Sequence, residues 1–257
     1  MDSNYYENPD HWDTERYHND YERNRLAHAA ALIPSDVRSL ADVGCGNGLF
    51  LKFLEDFRPE LLKTGFERSV AAISSRRCVS QVVRSSADNL PLKHQAVDIV
   101  SCLAVIEHLT HDIYKKALSE IERISKKYIL INVPHGEKRV FVKCPACSCR
   151  FNPSFHLRSY HSNSYSRLFK EFCPIDIKYK KGPEPLVSWV VRRLPVHLSA
   201  TRYADAVCPQ CNWRPIRPMP VDNTGARASG FKKVLRHLPP ILEVREAFVL
   251  YQRMENI

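Results

Sequence analysis

No stretch of this sequence is long and apolar enough to cross a membrane as a helix. The longest candidate is the ten residues from Val97 to Ile106, against the ~18 to 20 a bilayer requires. The first residues, Met1-Asp2-Ser3-Asn4-Tyr5-Tyr6-Glu7, lack the basic-then-apolar order of a signal peptide, which predicts a cytoplasmic protein. Low-complexity tracts are missing, and so are internal repeats apart from two short cysteine knuckles. The 9 cysteines are an odd number without a secretory signal, which argues against a disulfide framework. Glycine is scarce, 8 in 257 residues, yet three glycines fall within one five-residue window.

What is present is ordinary for a soluble globular chain: 44% hydrophobic and 26% charged residues, and enough length for one large α/β domain with an insertion. The net charge of +10 is uneven. Residues 1–137 hold 17 Lys or Arg against 20 Asp or Glu, whereas residues 138–257 hold 21 against 8. That asymmetry predicts an anionic partner, with nucleic acid, a phosphorylated substrate or an acidic membrane surface as the classes to weigh. No run of five or six like charges occurs, so a merely solvated face is the competing reading. Arg150, Arg158, Arg192, Arg193 and Arg202 are the candidate anion contacts, because a guanidinium grips phosphate or carboxylate with two bonds.

The glycine window is Ala41-Asp42-Val43-Gly44-Cys45-Gly46-Asn47-Gly48. Leu40 to Val43 reads as the end of a buried strand, and Leu49, Phe50, Phe53, Leu54 and Phe57 recur at the spacing of a helix face. A strand, a tight glycine turn and a helix start suit a nucleotide-like ligand lying against backbone N–H groups. The dinucleotide fingerprint G-x-G-x-x-G would need glycine where this chain has Leu49. Further strands are predicted at Leu62 to Phe66, ending on Glu67 19 residues after Gly48, and at Gln81 to Arg84, Val97 to Leu103 and Tyr128 to Val133. An acidic residue at that interval can accept both hydroxyls of a ribose.

Preceded by Asp42, the G-x-G-x-G pattern resembles motif I of the class I S-adenosylmethionine (SAM) dependent methyltransferases. Ser86-Ala87-Asp88-Asn89-Leu90-Pro91-Leu92 resembles that family's A-D-x-L-P segment, and Glu107-His108-Leu109 closes the fourth strand in the family's manner. The resemblance covers residues 38–135. It implies a Rossmann-like sheet of seven strands, six parallel and one antiparallel, with helices on both faces. It also implies cofactor contacts at Asp42, Gly44, Cys45, Gly46, Gly48, Glu67, Ala87, Asp88, Asn89 and Leu103. An N-terminal segment, residues 1–36 with a helix from about His11 to Leu32, would fold over the cofactor as a lid through Tyr5, Tyr6 and Trp12.

The SAM-binding core is expected over residues 37–182. The apolar stripe of Ile113, Ala117, Leu118, Ile121 and Ile124 predicts a helix from Thr110 to Lys126. Another helix is expected from Ser162 to Phe172, a sixth strand from Ile175 to Tyr179, and a seventh in residues 244–257, from Ala247 to Arg253. Residues 183–243 remain as an insertion, with a short helix expected from Leu186 to Arg193. Cys144-Pro145-Ala146-Cys147 and Cys208-Pro209-Gln210-Cys211 each put two thiolates on a tight turn, and together they supply the four ligands of a structural tetrahedral zinc. Cys149 and His156 are possible substitutes for one of these ligands.

Methyl transfer to a hydroxyl needs a base. Among Glu107, His108, His135 and His156, His156 ranks first and His108 second. An Asn/Asp-Pro-Pro-Tyr motif is absent where Leu103-Ala104-Val105-Ile106 stands, as is a Pro-Cys nucleophile, since Ser101 precedes Cys102. The expected activity is O-methylation of an anionic small molecule or a glycan. The rivals are an enzyme acting on RNA or DNA and a non-catalytic binding module on the same fold.

Overall fold

The structure is a computed structural model and describes residues 6–12, 19–184, 198–199, 207–213 and 241–254. In chain order its strands are β1 (Ser39–Val43), β2 (Leu62–Glu67), β3 (Gln81–Arg84), β4 (Val97–Leu103), β5 (Ser125–Pro134), β6 (Val142–Lys143), β7 (Arg150–Phe151), β8 (Phe172–Glu184), β9 (Leu198–Ser199) and β10 (Ile241–Arg253). The helices are α1 (Asp20–Ala30), α2 (Leu49–Phe57), α3 (Val70–Ser74), α4 (His111–Ile124) and α5 (Ser162–Tyr165), preceded by a 3₁₀ turn at Pro9–Trp12.

Seven strands form one sheet in the order β3-β2-β1-β4-β5-β10-β8, and β10 runs antiparallel to both neighbours. Alternation along the strands explains why both faces are covered. On β5, Ile129, Ile131 and Val133 pack with Ile121 and Ile124 of α4, whereas Leu130 packs with Leu26 of α1 and Leu51 of α2. On β10, Ala247, Val249 and Tyr251 share the first face and Phe248 and Leu250 the second. A strand buried on both sides reads as a nearly continuous apolar run, as β4 and β5 do. Truncating a side chain such as Ile121, which is fully buried between α4 and the sheet, would cost ~2–5 kcal/mol.

The strand order reverses between β1 and its neighbours β2 and β4, so the connections leaving the carboxyl ends of β1 and β4 diverge and open a crevice there. A second, three-stranded sheet, β7-β6-β9, carries the first cysteine knuckle on its β6–β7 hairpin.

Several element boundaries differ from the sequence expectation. The N-terminal helix begins only at Asp20, because the Asn19 side chain accepts from Glu22 N–H and caps it. Helix α4 stops at Ile124, and Ser125 already has extended backbone paired with Val97, so β5 starts three residues before Tyr128. The helix expected from Ser162 to Phe172 is a single turn, and Phe172 instead opens β8. Strands β8 and β10 run to Glu184 and from Ile241, because they pair with each other out to Ile241 and Glu184. The helix expected at Leu186 to Arg193 lies outside the described residues.

Candidate functional site

The turn after β1 has left-handed backbone at Gly44, Gly46 and Gly48, with φ of 72°, 57° and 78°. Any larger residue would be strained there, and space is also short. A Cβ on Gly44 would lie 2.5 Å from Val105, and one on Gly46 would lie 2.7 Å from the Trp12 ring. Gly46 N–H donates to Glu67 Oε2 at 2.9 Å, and Ser69 N–H to Glu67 Oε1 at 2.7 Å. The Glu67 carboxylate is thereby held at the end of β2.

Two adjoining cavities occupy the crevice. One, of about 220 Å³, is walled by Phe66, Ala87, Val105, Leu109 and Ile113, with Glu67, Arg68, Ser85, Ser86 and Thr110 as its polar edge. The other, of about 420 Å³, is lined by Asp42, Cys45, Gly46, Leu103, Glu107 and His156 and also by Glu22, Arg25, Asn132 and Glu246. Tyr6, Trp12, Gly44, Ala104 and His108 belong to both. Tyr6 and Trp12 are held over the crevice: Ser69 Oγ donates to the Tyr6 carbonyl at 2.7 Å, and Glu7 accepts from Val70 and Ala71 N–H at the start of α3. Tyr5 lies outside the described residues.

Three expected cofactor residues line neither cavity. Gly48 begins α2 and packs against Cys78, whose Sγ would be 2.4 Å from a Cβ there. Asp88 accepts from the Ser86 hydroxyl, and Asn89 is exposed. The cavity edge at this point is Ser85, Ser86 and Ala87.

Burial dominates the charges. Asp42 is fully enclosed, which pushes its carboxyl up to about 7, against the pull of the Ser101 hydroxyl 2.7 Å away and of the Arg25 charge. Glu107 is likewise pushed up to about 7 by burial. Burial holds His108 down near 3, helped by the His156 charge. At His156, burial works to lower the pKa, but the hydrogen bond and charge of Glu137, with the charge of Glu107, outweigh it and raise the value. His156 Nδ1 is 2.5 Å from Glu137 Oε2, and the His108 and His156 rings lie 4.9 Å apart. His135 is removed from this group, with Nδ1 2.7 Å from the Tyr165 hydroxyl.

Sequence reasoning missed Glu137, Glu22, Arg25, Asn132 and Glu246. Arg25 is half-buried, donates to Asn132 Oδ1 at 3.2 Å and pairs with Glu22 at 2.9 Å. Its only sequence signal is its place beside the buried Leu26, Ala29 and Ala30 on one face of α1.

The two knuckles converge although 60 residues separate Cys147 from Cys208. Sγ atoms lie 3.7 Å apart for Cys144 and Cys211 and 3.5 Å for Cys147 and Cys208, and all four fall within 4.8 Å of one another. Tetrahedral zinc with Zn–S of ~2.3 Å sets sulfur edges of about 3.8 Å, so the four thiols fit that ion. Cys149 and His156 stand outside the cluster. Phe151 packs beside the knuckles, and the next residue, Asn152, donates to the Val140 carbonyl at 3.0 Å and accepts from His156 N–H at 3.1 Å. The cysteine module thus abuts the loop that carries His156.

Residues 41–128 match the family described as Methyltransferase domain. An uncharacterized protein of Methanocaldococcus jannaschii is 33% identical over 85 residues, 33% of this chain and 35% of that protein. A tRNA U34 carboxymethyltransferase of Campylobacter curvus is 30% identical over 94 residues, 34% of this chain and 30% of that enzyme. The chain therefore spans about a third of the length of the curated relatives it matches. A crystal structure of a SAM dependent methyltransferase from Archaeoglobus fulgidus superposes with a TM-score of 0.53 at 16% identity, over 90% of this chain and 94% of that one, a likeness of fold. The chain has the Rossmann-like fold of such methyltransferases. Among the described residues no helix is long and apolar enough to cross a membrane.

Proposed function

We propose that this protein is a SAM-dependent methyltransferase that methylates a hydroxyl of a glycan or another polyol. The observation that carries the reading is the pair of cavities meeting at Gly44, Ala104 and His108, one apolar with Glu67 and Arg68 at its edge, the other polar. Bound SAM supplies an electrophilic methyl carbon on a sulfonium. Glu67 would accept the ribose hydroxyls, and Phe66, Ala87, Val105, Leu109 and Ile113 would enclose the adenine. Asp42, Gly44, Cys45, Gly46 and Leu103 line the side suited to the cationic methionine end.

The rest of the 420 Å³ cavity is the acceptor side. Glu22, Glu107 and Glu246 line it against one guanidinium, Arg25, which Glu22 already pairs. Such a wall would repel a polyanion, whereas carboxylates, Asn132 and imidazoles suit a polyhydroxylated acceptor. Of the expected anion contacts, Arg158 is committed to the Ile106 and Leu109 carbonyls, and Arg192, Arg193 and Arg202 lie outside the described residues. In the metal-free protein His156, oriented by Glu137, is first placed to take the hydroxyl proton, and His108 second. A zinc held by Cys144, Cys147, Cys208 and Cys211 would be structural, because four thiolates leave no open position, and would brace the loop carrying His156.

Calorimetric SAM binding, followed by methyl transfer into glycan, small-molecule and nucleic-acid fractions of a cell extract, tests this. Label confined to the glycan or polyol pool is expected. Label in RNA would favour the second reading, which the excess of 21 basic over 8 acidic residues in 138–257 and the tRNA-directed relative support.

A further inference from the structure

Glu107, His108 and His156 come from two loops that the backbone ties together. Leu157 N–H donates to the Glu107 carbonyl at 2.8 Å, and Arg158 Nη1 reaches the Ile106 and Leu109 carbonyls at 2.6 Å each. The Arg158 guanidinium also lies 3.9 Å from the Tyr114 ring centre, so the crossing of the loops is fixed from a second side. As a result one ligand atom from each of the three side chains lies within 4.8 Å of the other two. All three residues line the 420 Å³ cavity.

Two polar atoms of this group are unmatched among the described residues. Glu107 Oε2 and His108 Nδ1 are buried without a hydrogen bond among the described residues, and Glu107 is 1% exposed. A buried carboxylate oxygen left unmatched is destabilising unless a cation or donor reaches it. The imidazoles are also held from behind, His156 Nδ1 by Glu137 at 2.5 Å and His108 by the Phe155 carbonyl. That is the outer support a metal-bound imidazole requires, one ring nitrogen tied to a carboxylate or carbonyl while the other is left for the ion. The charges also close, since the carboxylates of Glu107 and Glu137 balance one divalent ion beside two neutral rings.

We propose that Glu107, His108 and His156 bind a divalent transition-metal ion in the acceptor cavity, distinct from the four-cysteine site. Two imidazoles and one carboxylate leave positions open on such an ion, and its role there rests on the methyl-transfer reading. An acceptor hydroxyl bound to the ion releases its proton to water. The oxygen lone pair then forms the bond to the methyl carbon, and the carbon–sulfur bond breaks with its electron pair left on sulfur, giving S-adenosylhomocysteine. With the ion present His156 is a ligand and Glu137 a positioning residue.

The test is a Mn²⁺ titration of the full chain, its metal content measured first, followed by electron paramagnetic resonance. Mn²⁺ prefers oxygen and nitrogen ligands to thiolates, so the cysteine site is left undisturbed. One saturable Mn²⁺ per chain is expected. Glu107→Gln and His156→Ala should each weaken it at least tenfold, and Glu137→Gln roughly tenfold. Neither His156→Ala nor Glu137→Gln should change the zinc content. No saturable Mn²⁺ binding, or binding that survives both Glu107→Gln and His156→Ala, would overturn the proposal. Should buried Glu107 tolerate no change, His156→Ala at the cavity wall decides alone. Mn²⁺ binding requires neither SAM nor acceptor, so its failure strikes the metal site, whereas failure to bind SAM strikes the methyltransferase reading.

Discussion

Replacing Asp42 by asparagine should make the ligand-free protein more stable at pH 8 while weakening its hold on SAM. The carboxyl is enclosed at the end of β1, and its pKa is raised from the ordinary 3.8 to about 7, chiefly by burial. The folded protein therefore binds the extra proton between about pH 4 and pH 7, and stability falls as pH rises through that window, the loss being complete above it. The distance from 3.8 to about 7, at ~1.4 kcal/mol per pH unit, bounds the loss at about 4 kcal/mol. Asparagine still accepts from Ser101 Oγ through its amide oxygen, so the 2.7 Å hydrogen bond can survive while the buried charge is removed. Denaturant titrations of both proteins across this range, taken as a difference, isolate Asp42 from every other titrating group. The variant should gain stability over wild type as pH rises and level off above about pH 7, while losing ~1.5–3 kcal/mol of SAM affinity at pH 8 if the carboxylate meets the cofactor's positive charge. A difference that is flat with pH, or an asparagine variant less stable throughout, would refute the reasoning.

Glu67→Gln removes the charge and keeps an acceptor for only one of the Gly46 and Ser69 N–H groups, so calorimetry should show SAM binding weakened by ~1.5–3 kcal/mol. Unchanged affinity would exclude the ribose role. Cys144→Ser or Cys208→Ser should drop zinc from about one per chain toward none and, through Asn152, loosen the loop of His156. Full metal occupancy in either variant would count against the four-cysteine site. Gly46→Ala places a Cβ 2.7 Å from Trp12, at a φ of 57° that costs ~1 kcal/mol or more without glycine, and should push the ring out of the crevice. Fluorescence compared with Trp12→Phe as the blank reads this directly, and an unshifted Trp12 contribution would rule the contact out.

The sheet core was legible in the sequence because its signals are local. Apolar runs ending at Val43, Leu103 and Val133, glycines at Gly44 and Gly46, and the stripe of Ala117, Ile121 and Ile124 each state a backbone conformation and a buried face. Boundaries were less legible where pairing overrides pattern. Ser125 and Phe172 join strands because Val97 and Arg253 stand opposite them, information that lies far away in the chain.

The cysteine spacing alone predicted four ligands of one ion, since each knuckle is a local turn with its two sulfurs already together. That Cys149 and His156 stand outside the cluster of four thiols was decided by the fold. The residues proposed for the acceptor side were hidden for the same reason. Arg25 on α1, Asn132 on β5, Glu246 on β10 and Glu137 beyond β5 converge only when the sheet assembles, and nothing in their neighbours marks them. Spacing along the chain determines which side chains share a helix face or a turn, whereas burial, and with it the charges of Asp42, Glu107 and His108, depends on what packs over them from elsewhere.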